Sequence, residues 1–172
     1  MKKIVVAAIL LTLMVTPAAL AQRAFGFHGF GPRGGVTVNP DQFHVGGHLD
    51  LGDLAPRLML FPAIEVGFGD NVTVIAPMFE VNYRFRENWG SWNPYIGGGV
   101  GPVFASFDTP VGNFSNTDFG LTLQGGIARQ LTSRKGFLFV EFKLGLADYP
   151  DAKFTIGWNF GKAAKKAAQP SN

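Results

Sequence analysis

The 172-residue sequence contains no cysteine, and only 16% of its residues are charged. The missing cysteines exclude a disulfide scaffold and any thiolate metal site. The charge fraction lies well below the roughly 25% usual for a soluble domain. Past residue 22 there is no long apolar run. The longest stretch, Leu58 to Ile64, falls far short of the roughly 20 residues that a spanning helix needs. Basic charge is also scarce where it would matter. The formal charge of +3 rests on Lys2 and Lys3 at one end and on Lys162, Lys165 and Lys166 at the other, while between Arg23 and Lys153 acidic residues outnumber basic ones. No basic face is left for nucleic acid. What the sequence does have is 47% apolar residues, 23 glycines and 17 phenylalanines. That composition excludes intrinsic disorder, and the length suits one domain.

Lys2 and Lys3, the apolar stretch Ile4 to Val15 and the small residues of Ala19-Leu20-Ala21 have the layout of a secretory signal peptide. Residues 1–21 are expected to be removed before Gln22, leaving a domain over residues 22–160. Residues 161–172, rich in Ala and Lys, read as a disordered basic tail.

From about Phe25 onward the chain alternates with a period of two and shows no helical period. Eight segments emerge. A Gly- and Phe-rich lead-in over 23–35, beginning its strand near Phe25, closes on Val36 to Val38, and the rest cover 43–51, 58–69, 72–85, 94–107, 117–131, 137–146 and 151–160. Asn39-Pro40-Asp41-Gln42 and Asp70-Asn71 are turn sequences, and residues 108–116 form the longest predicted loop. Strands and turns in unbroken succession predict an all-β, antiparallel up-and-down meander.

One face of each clearly patterned segment is uncharged. It carries Phe43, Val45, Leu49 and Leu51 in the second, Ile64, Val66 and Phe68 in the third, and Ile75, Phe79, Val81 and Tyr83 in the fourth. Phe119, Leu121 and Leu123 follow in the sixth, Phe142 and Leu144 in the seventh, and Phe154, Ile156, Trp158 and Phe160 in the eighth. The opposite face mixes small residues with a few charges: Glu65, Glu80, Arg84, Glu141, Lys143 and Lys153. A soluble barrel would carry a denser charged coat. Small residues and a few pairable charges suit the cramped interior of a narrow barrel whose apolar face meets lipid, with strands of about 9–11 residues long enough to cross. Backbone groups in hydrocarbon must all be paired, so the sheet must close. The predicted fold is an eight-stranded transmembrane β-barrel. Pro62 and Pro77 each require an interruption in the ladder, and the fifth segment, blurred by Gly97, Gly98, Gly99 and Gly101, yields no register.

Together with the signal peptide, the Pro94-Tyr95-Ile96-Gly97-Gly98-Gly99 strand opening and the closing Phe154-Thr155-Ile156-Gly157-Trp158-Asn159-Phe160, this pattern resembles the small outer-membrane β-barrel family of diderm bacteria, the eight-stranded OmpA/OmpX/OmpW-like domains. The resemblance covers about residues 24–160. It implies location in the outer membrane, contact with outer-membrane lipid, and recognition of Phe154, Ile156, Trp158 and Phe160 by the barrel-assembly machinery. It also implies termini on the periplasmic side, with 39–42, 70–71, 108–116 and 147–150 outside. The sequence departs from the family pattern in the twelve residues after Phe160 and in Thr155, where a glycine is frequent.

Several groups of residues are candidates for function. Glu65, Glu80, Arg84, Glu141, Lys143 and Lys153 are expected to form a lumenal salt-bridge cluster, because a buried charge is costly unless paired. Arg84 and Glu80 would meet Lys153 or the Glu141/Lys143 pair. The sharper alternative is a gated path for a solute through that cluster, although eight strands leave an interior just filled by side chains. His44, His48 and Asp50 share the lumenal face. The two histidines lie about 13 Å apart along the strand, too far to chelate one ion, so no metal is expected. Tyr83, Trp89, Trp92 and Tyr95 read as an interfacial aromatic girdle. No nucleophile stands beside a histidine, so no catalytic residue, enzyme activity or cofactor is expected. The resulting functional expectation is a monomeric, cell-envelope barrel with a structural or general role and a filled lumen. The alternatives are a soluble exported barrel that turns its apolar face inward around an apolar ligand, and a narrow, porin-like solute channel.

Overall fold

A computed structural model describes residues 25–109, 112–131 and 136–161. The expected signal peptide and all but the first residue of the expected tail lie outside these residues. Gly161 itself belongs to the last strand.

The strands, in chain order, are β1 (Gly29–Val38), β2 (Gln42–Asp50), β3 (Asp53–Ala55), β4 (Leu58–Leu60), β5 (Ala63–Gly69), β6 (Val72–Arg84), β7 (Trp92–Thr109), β8 (Gly112–Gln130), β9 (Gly136–Ala147) and β10 (Ala152–Gly161). All pairings are antiparallel, and β6 pairs with β7, so the sheet closes on itself. β3 prolongs β2, and β4 with β5 makes one interrupted stave, which gives an eight-stave barrel. The interruption falls at Pro62, whose carbonyl still accepts the Leu49 N–H at 2.8 Å. Pro77 remains inside β6. The β6–β7 ladder skips from Ile75↔Phe104 to Phe79↔Val100, and the same register would set Pro77 opposite Pro102, where neither residue has an N–H to give.

Turns follow the local chemistry. Asn39, Asn71 and Asp148 take positive φ, a conformation that short Asx side chains tolerate. Arg57 does so as well, in the tight turn between β3 and β4. The chain enters and leaves at one end, the terminal end, together with the β3–β4, β6–β7 and β8–β9 connections. The opposite, hairpin end holds turns 39–41, 70–71 and 148–151 and the β7–β8 hairpin beyond Thr109↔Gly112.

None of the residues assigned from sequence to the uncharged face is buried, and many of the bulky ones are strongly exposed, such as Phe43 at 74% and Phe119 at 63%. A barrel with its apolar face turned inward is therefore overturned. The charged and amide groups lie inside, and glycine lets the walls approach. A Cβ on Gly157 would sit 2.2 Å from the Phe139 ring.

Two expectations need correction. The first strand starts at Gly29 rather than near Phe25, and it takes in much of the presumed lead-in. The expected loop over 108–116 is instead the tip of a long β7–β8 hairpin, in register from Trp92↔Arg129 to Thr109↔Gly112. Ser115, Asn116 and Thr117 are exposed on both faces of β8, so no hydrophobic alternation marked that stretch as a strand.

Candidate functional site

The barrel interior is layered. Toward the terminal end, Met59, Phe61, Tyr95 and Phe139 form a buried apolar layer against which Ala128 and Phe137 pack. His48 belongs to it, stacked on Phe61 with ring centres 4.3 Å apart and edge-on to Phe139. Toward the hairpin end, Val74, Ala76, Met78, Val103 and Tyr149 form a second apolar layer.

Between the two lies a sealed ionic layer. Arg33 from β1 is its centre, 3% exposed. Its guanidinium reaches Glu65 at 2.9 Å, Glu80 at 3.0 Å and Glu141 at 2.6 Å. Lys143 pairs with Glu80, and lies 3.4 Å from Glu65 and 3.6 Å from Glu141. Lys153 pairs with Glu65 at 2.5 Å. Three cations thus meet three carboxylates and the layer is neutral. Tyr95 donates to Glu141 at 2.9 Å and Tyr149 to Glu65 at 3.3 Å, tying one phenol from each apolar layer to the charges. Burial, with the Glu65 carboxylate beside it, pushes the Tyr149 phenol well above its ordinary range, so it stays a donor.

Burying six charges is favourable only with close geometry and further hydrogen bonds, and both are present. A polar collar extends the layer. Gln124 donates to Asn82 at 2.7 Å, and His44 sits between the hydroxyls of Thr37 at 3.1 Å and Thr155 at 3.0 Å. Asp50 accepts from the Gly52 N–H at 3.0 Å and from Asn159 at 3.5 Å. Among the described residues no group of three or more His, Asp or Glu side chains is placed to hold a metal ion.

Of the residues proposed for the cluster, the structure places Glu65, Glu80, Glu141, Lys143 and Lys153 together, with Arg33 added to them. Arg84 is not in the cluster. It lies at the terminal rim with its side chain 30% exposed, and donates to both carboxylate oxygens of Asp53 at 2.6 and 2.8 Å. Its alternation was read rightly as inward, but its place at the end of β6 puts it beyond the apolar layer.

Arg33 was missed, because Gly-Pro-Arg-Gly-Gly reads as loop. Running the Val36/Val38 alternation backward would have placed it inside. Tyr95 was assigned to the aromatic girdle and is instead lumenal and 6% exposed. Its strand had no register, so its side could not be read. Of the other girdle residues, Tyr83 and Trp89 are exposed, and Trp92 is half-buried beneath the Arg129 guanidinium. Phe154, Ile156, Trp158 and Phe160 line the outer face of β10, with Trp158 stacked on Phe160 at 5.5 Å.

No protein-family model and no curated protein sequence matches the chain. Solved structures do. The N-terminal β-barrel domain of Pseudomonas aeruginosa OprF superposes with a TM-score of 0.63 at 13% identity, over 80% of this chain and 100% of that one. Neisserial surface protein A superposes with a TM-score of 0.57 at 12% identity, over 78% of this chain and 96% of that one. The chain has the closed, eight-stranded antiparallel fold of the small outer-membrane barrels.

Proposed function

We propose that the protein is an integral outer-membrane barrel with a structural or general envelope role, its lumen closed to solutes. The observation that carries the membrane half is the inverted arrangement of the wall. Ionic and amide side chains fill the inside, while Phe, Leu, Ile and Val cover the outside. In water so large an apolar surface is an aggregation hazard; in a bilayer it is the required surface. The OprF barrel domain and the Neisserial surface protein share the fold, which supports the same placement.

The closed lumen rests on the neutral ionic layer capped by apolar layers on both sides. An ion entering it would have to break pairs at 2.6–3.0 Å around Arg33 without water to replace them. In this reading the terminal end faces the periplasm, the hairpin end faces outward, and Phe160 with its β10 neighbours serves assembly.

Fractionation tests the reading. The protein should stay with outer membranes through high-salt washing, be released only by detergent, and migrate more slowly on gels after boiling. Recovery in the aqueous periplasmic fraction would overturn it. Steady conductance in planar bilayers would overturn the closed lumen alone.

A further inference from the structure

β8 is paired with β7 along its whole length, but β9 meets it only from Leu121 onward. Over Asn113 to Phe119 the other side of β8 has no strand partner among the described residues. The orientation of its backbone can be read from the ladder. The Leu131 N–H bonds across to the Gly136 carbonyl at the start of β9. In an antiparallel strand the N–H and C=O of one residue point the same way and alternate along the chain. The single irregularity lies on β9, where Leu121↔Ala147 is followed by Thr122↔Gly145, so the alternation along β8 is unbroken. Asn113, Ser115, Thr117 and Phe119 therefore turn their backbone donors and acceptors toward the unpaired side.

Native proteins normally blunt such an edge with Lys, Pro or a bulge. Here the sequence Asn-Phe-Ser-Asn-Thr-Asp-Phe has neither residue, and its Phe114 and Phe119 are about 60% exposed.

The same end of the barrel is uniformly acidic. Asp41 and Asp70 occupy its turns, Asp148 and Asp151 flank the β9–β10 turn, and Asp118 lies on the open strand itself. No Lys, Arg or His stands in 39–41, 70–71, 104–119 or 148–151. Among the described residues, lysine and arginine lie in the ionic layer or at the terminal end, as Arg57, Arg84, Arg86 and Arg129 do.

We propose that the open edge of β8 is a docking site for an extended, lysine- or arginine-bearing segment of another polypeptide, which adds to the sheet as a further strand. Backbone hydrogen bonds would supply affinity, as in other strand-addition complexes, and the acidic end would select for positive charge and speed encounter. A second copy of this chain is a poor occupant, because it would bring acid against acid. Gly161, after which the sequence carries Lys162, Lys165 and Lys166, lies at the opposite end.

The test uses the full chain in uncharged detergent micelles and a capped ten-residue peptide of alternating Lys and Val. A peptide with Glu in place of Lys is the control. Amide hydrogen exchange should slow at Asn113, Ser115, Thr117 and Phe119 when the Lys peptide is added, and the Glu peptide should not bind. Thr117→Pro removes one donor from the open side without touching the β7 ladder, and should weaken binding about tenfold. Ser115→Pro is the second variant, and the boiling-dependent gel shift verifies that each folds. Added salt should weaken binding.

The proposal is overturned if the Lys peptide does not bind at millimolar concentration, or if the Glu peptide binds equally. It is equally overturned if protection falls elsewhere or if both proline variants bind like the parent. Protection of these amides by self-association, before any peptide is added, would also overturn it.

Discussion

Arg33→Met is the most informative single change to this barrel. The replacement keeps an unbranched side chain of similar reach, so the loss is chiefly of charge. Three buried carboxylates, Glu65, Glu80 and Glu141, would then share only Lys143 and Lys153, which leaves one negative charge uncompensated between two apolar layers. Removing one partner of a buried ion pair costs about 3–5 kcal/mol. Arg33 lies at 2.6–3.0 Å from three carboxylates at once, and its guanidinium also sits 5.5 Å from the centre of the Phe139 ring, so the upper part of that range applies. With a urea slope of roughly 2 kcal/mol per molar, the unfolding midpoint in lipid vesicles should drop by about 2 M.

Val36→Ala, on the same strand but facing outward, serves as the control and should leave the midpoint nearly in place. Restoring neutrality by combining Arg33→Met with Glu80→Gln should recover part of the loss, with a coupling of about 1–3 kcal/mol between the two sites. A midpoint for Arg33→Met within about 0.3 M of the parent would refute the ionic layer as a stabilising plug. So would additive effects of the two substitutions.

Other changes probe separate parts of the structure. Ile156→Arg places a cation on the outer face of β10 and should cost about 2–4 kcal/mol near the bilayer midplane, yet little in detergent; equal stability in both media would contradict the lipid-facing assignment. Arg84→Ala breaks the half-open rim pair with Asp53, and should change stability by no more than about 1 kcal/mol, measured by the same urea titration. Gly157→Ala drives a methyl into the Phe139 ring, so a loss of about 1–3 kcal/mol is expected, with partial relief from Phe139→Leu. Phe160→Ala should lower the amount of assembled protein in cells while the purified, folded barrel keeps its unfolding midpoint; a normal cellular yield would refute an assembly role.

How much of this was legible in the sequence depended on whether a strand had two unlike faces. β2, β5, β6, β9 and β10 do, and their outward residues could be assigned one by one. β7 presents glycine on both sides. The structure places Ile96, Val100 and Phe104 outward, and leaves Gly97 and Gly99 inside, where Cβ atoms would meet the Asn82 carboxamide and the Thr122 hydroxyl. Those glycines are there because of what stands opposite, and pairing of that kind cannot be read from one strand. Tyr95 was misplaced for this reason.

Arg33 was lost differently. Its inward neighbours Gly31 and Gly35 press against the backbone of β10, and a Cβ on Gly31 would lie 1.6 Å from the Trp158 carbonyl. The composition that reads as loop is therefore what lets β1 close the barrel. Arg84 shows that the correct face does not fix depth along the strand.

The inversion of this wall also changes which interactions can specify the fold. In a soluble domain, removing apolar groups from water is the main stabilising term. Once a barrel is inserted, its outward Phe, Leu and Ile side chains exchange lipid for lipid, so they set location rather than internal arrangement. Discrimination among possible registers is then left to the ladder and to the interior. A slip of one residue between strands would keep the hydrogen bonds but turn every inward side chain to the lipid. For β9 that would expel Glu141 and Lys143 together, stranding the partners of each inside. A slip of two residues keeps the faces but shifts charges by about 7 Å along the strand, enough to separate Arg33 from all three glutamates. The ionic layer is thus coupled to the register of the five staves that carry it: β1, the β4–β5 stave, β6, β9 and β10. On this argument a neutral, apolar replacement of all six charged groups could match the parent in stability and would still be expected to lose uniqueness of strand pairing.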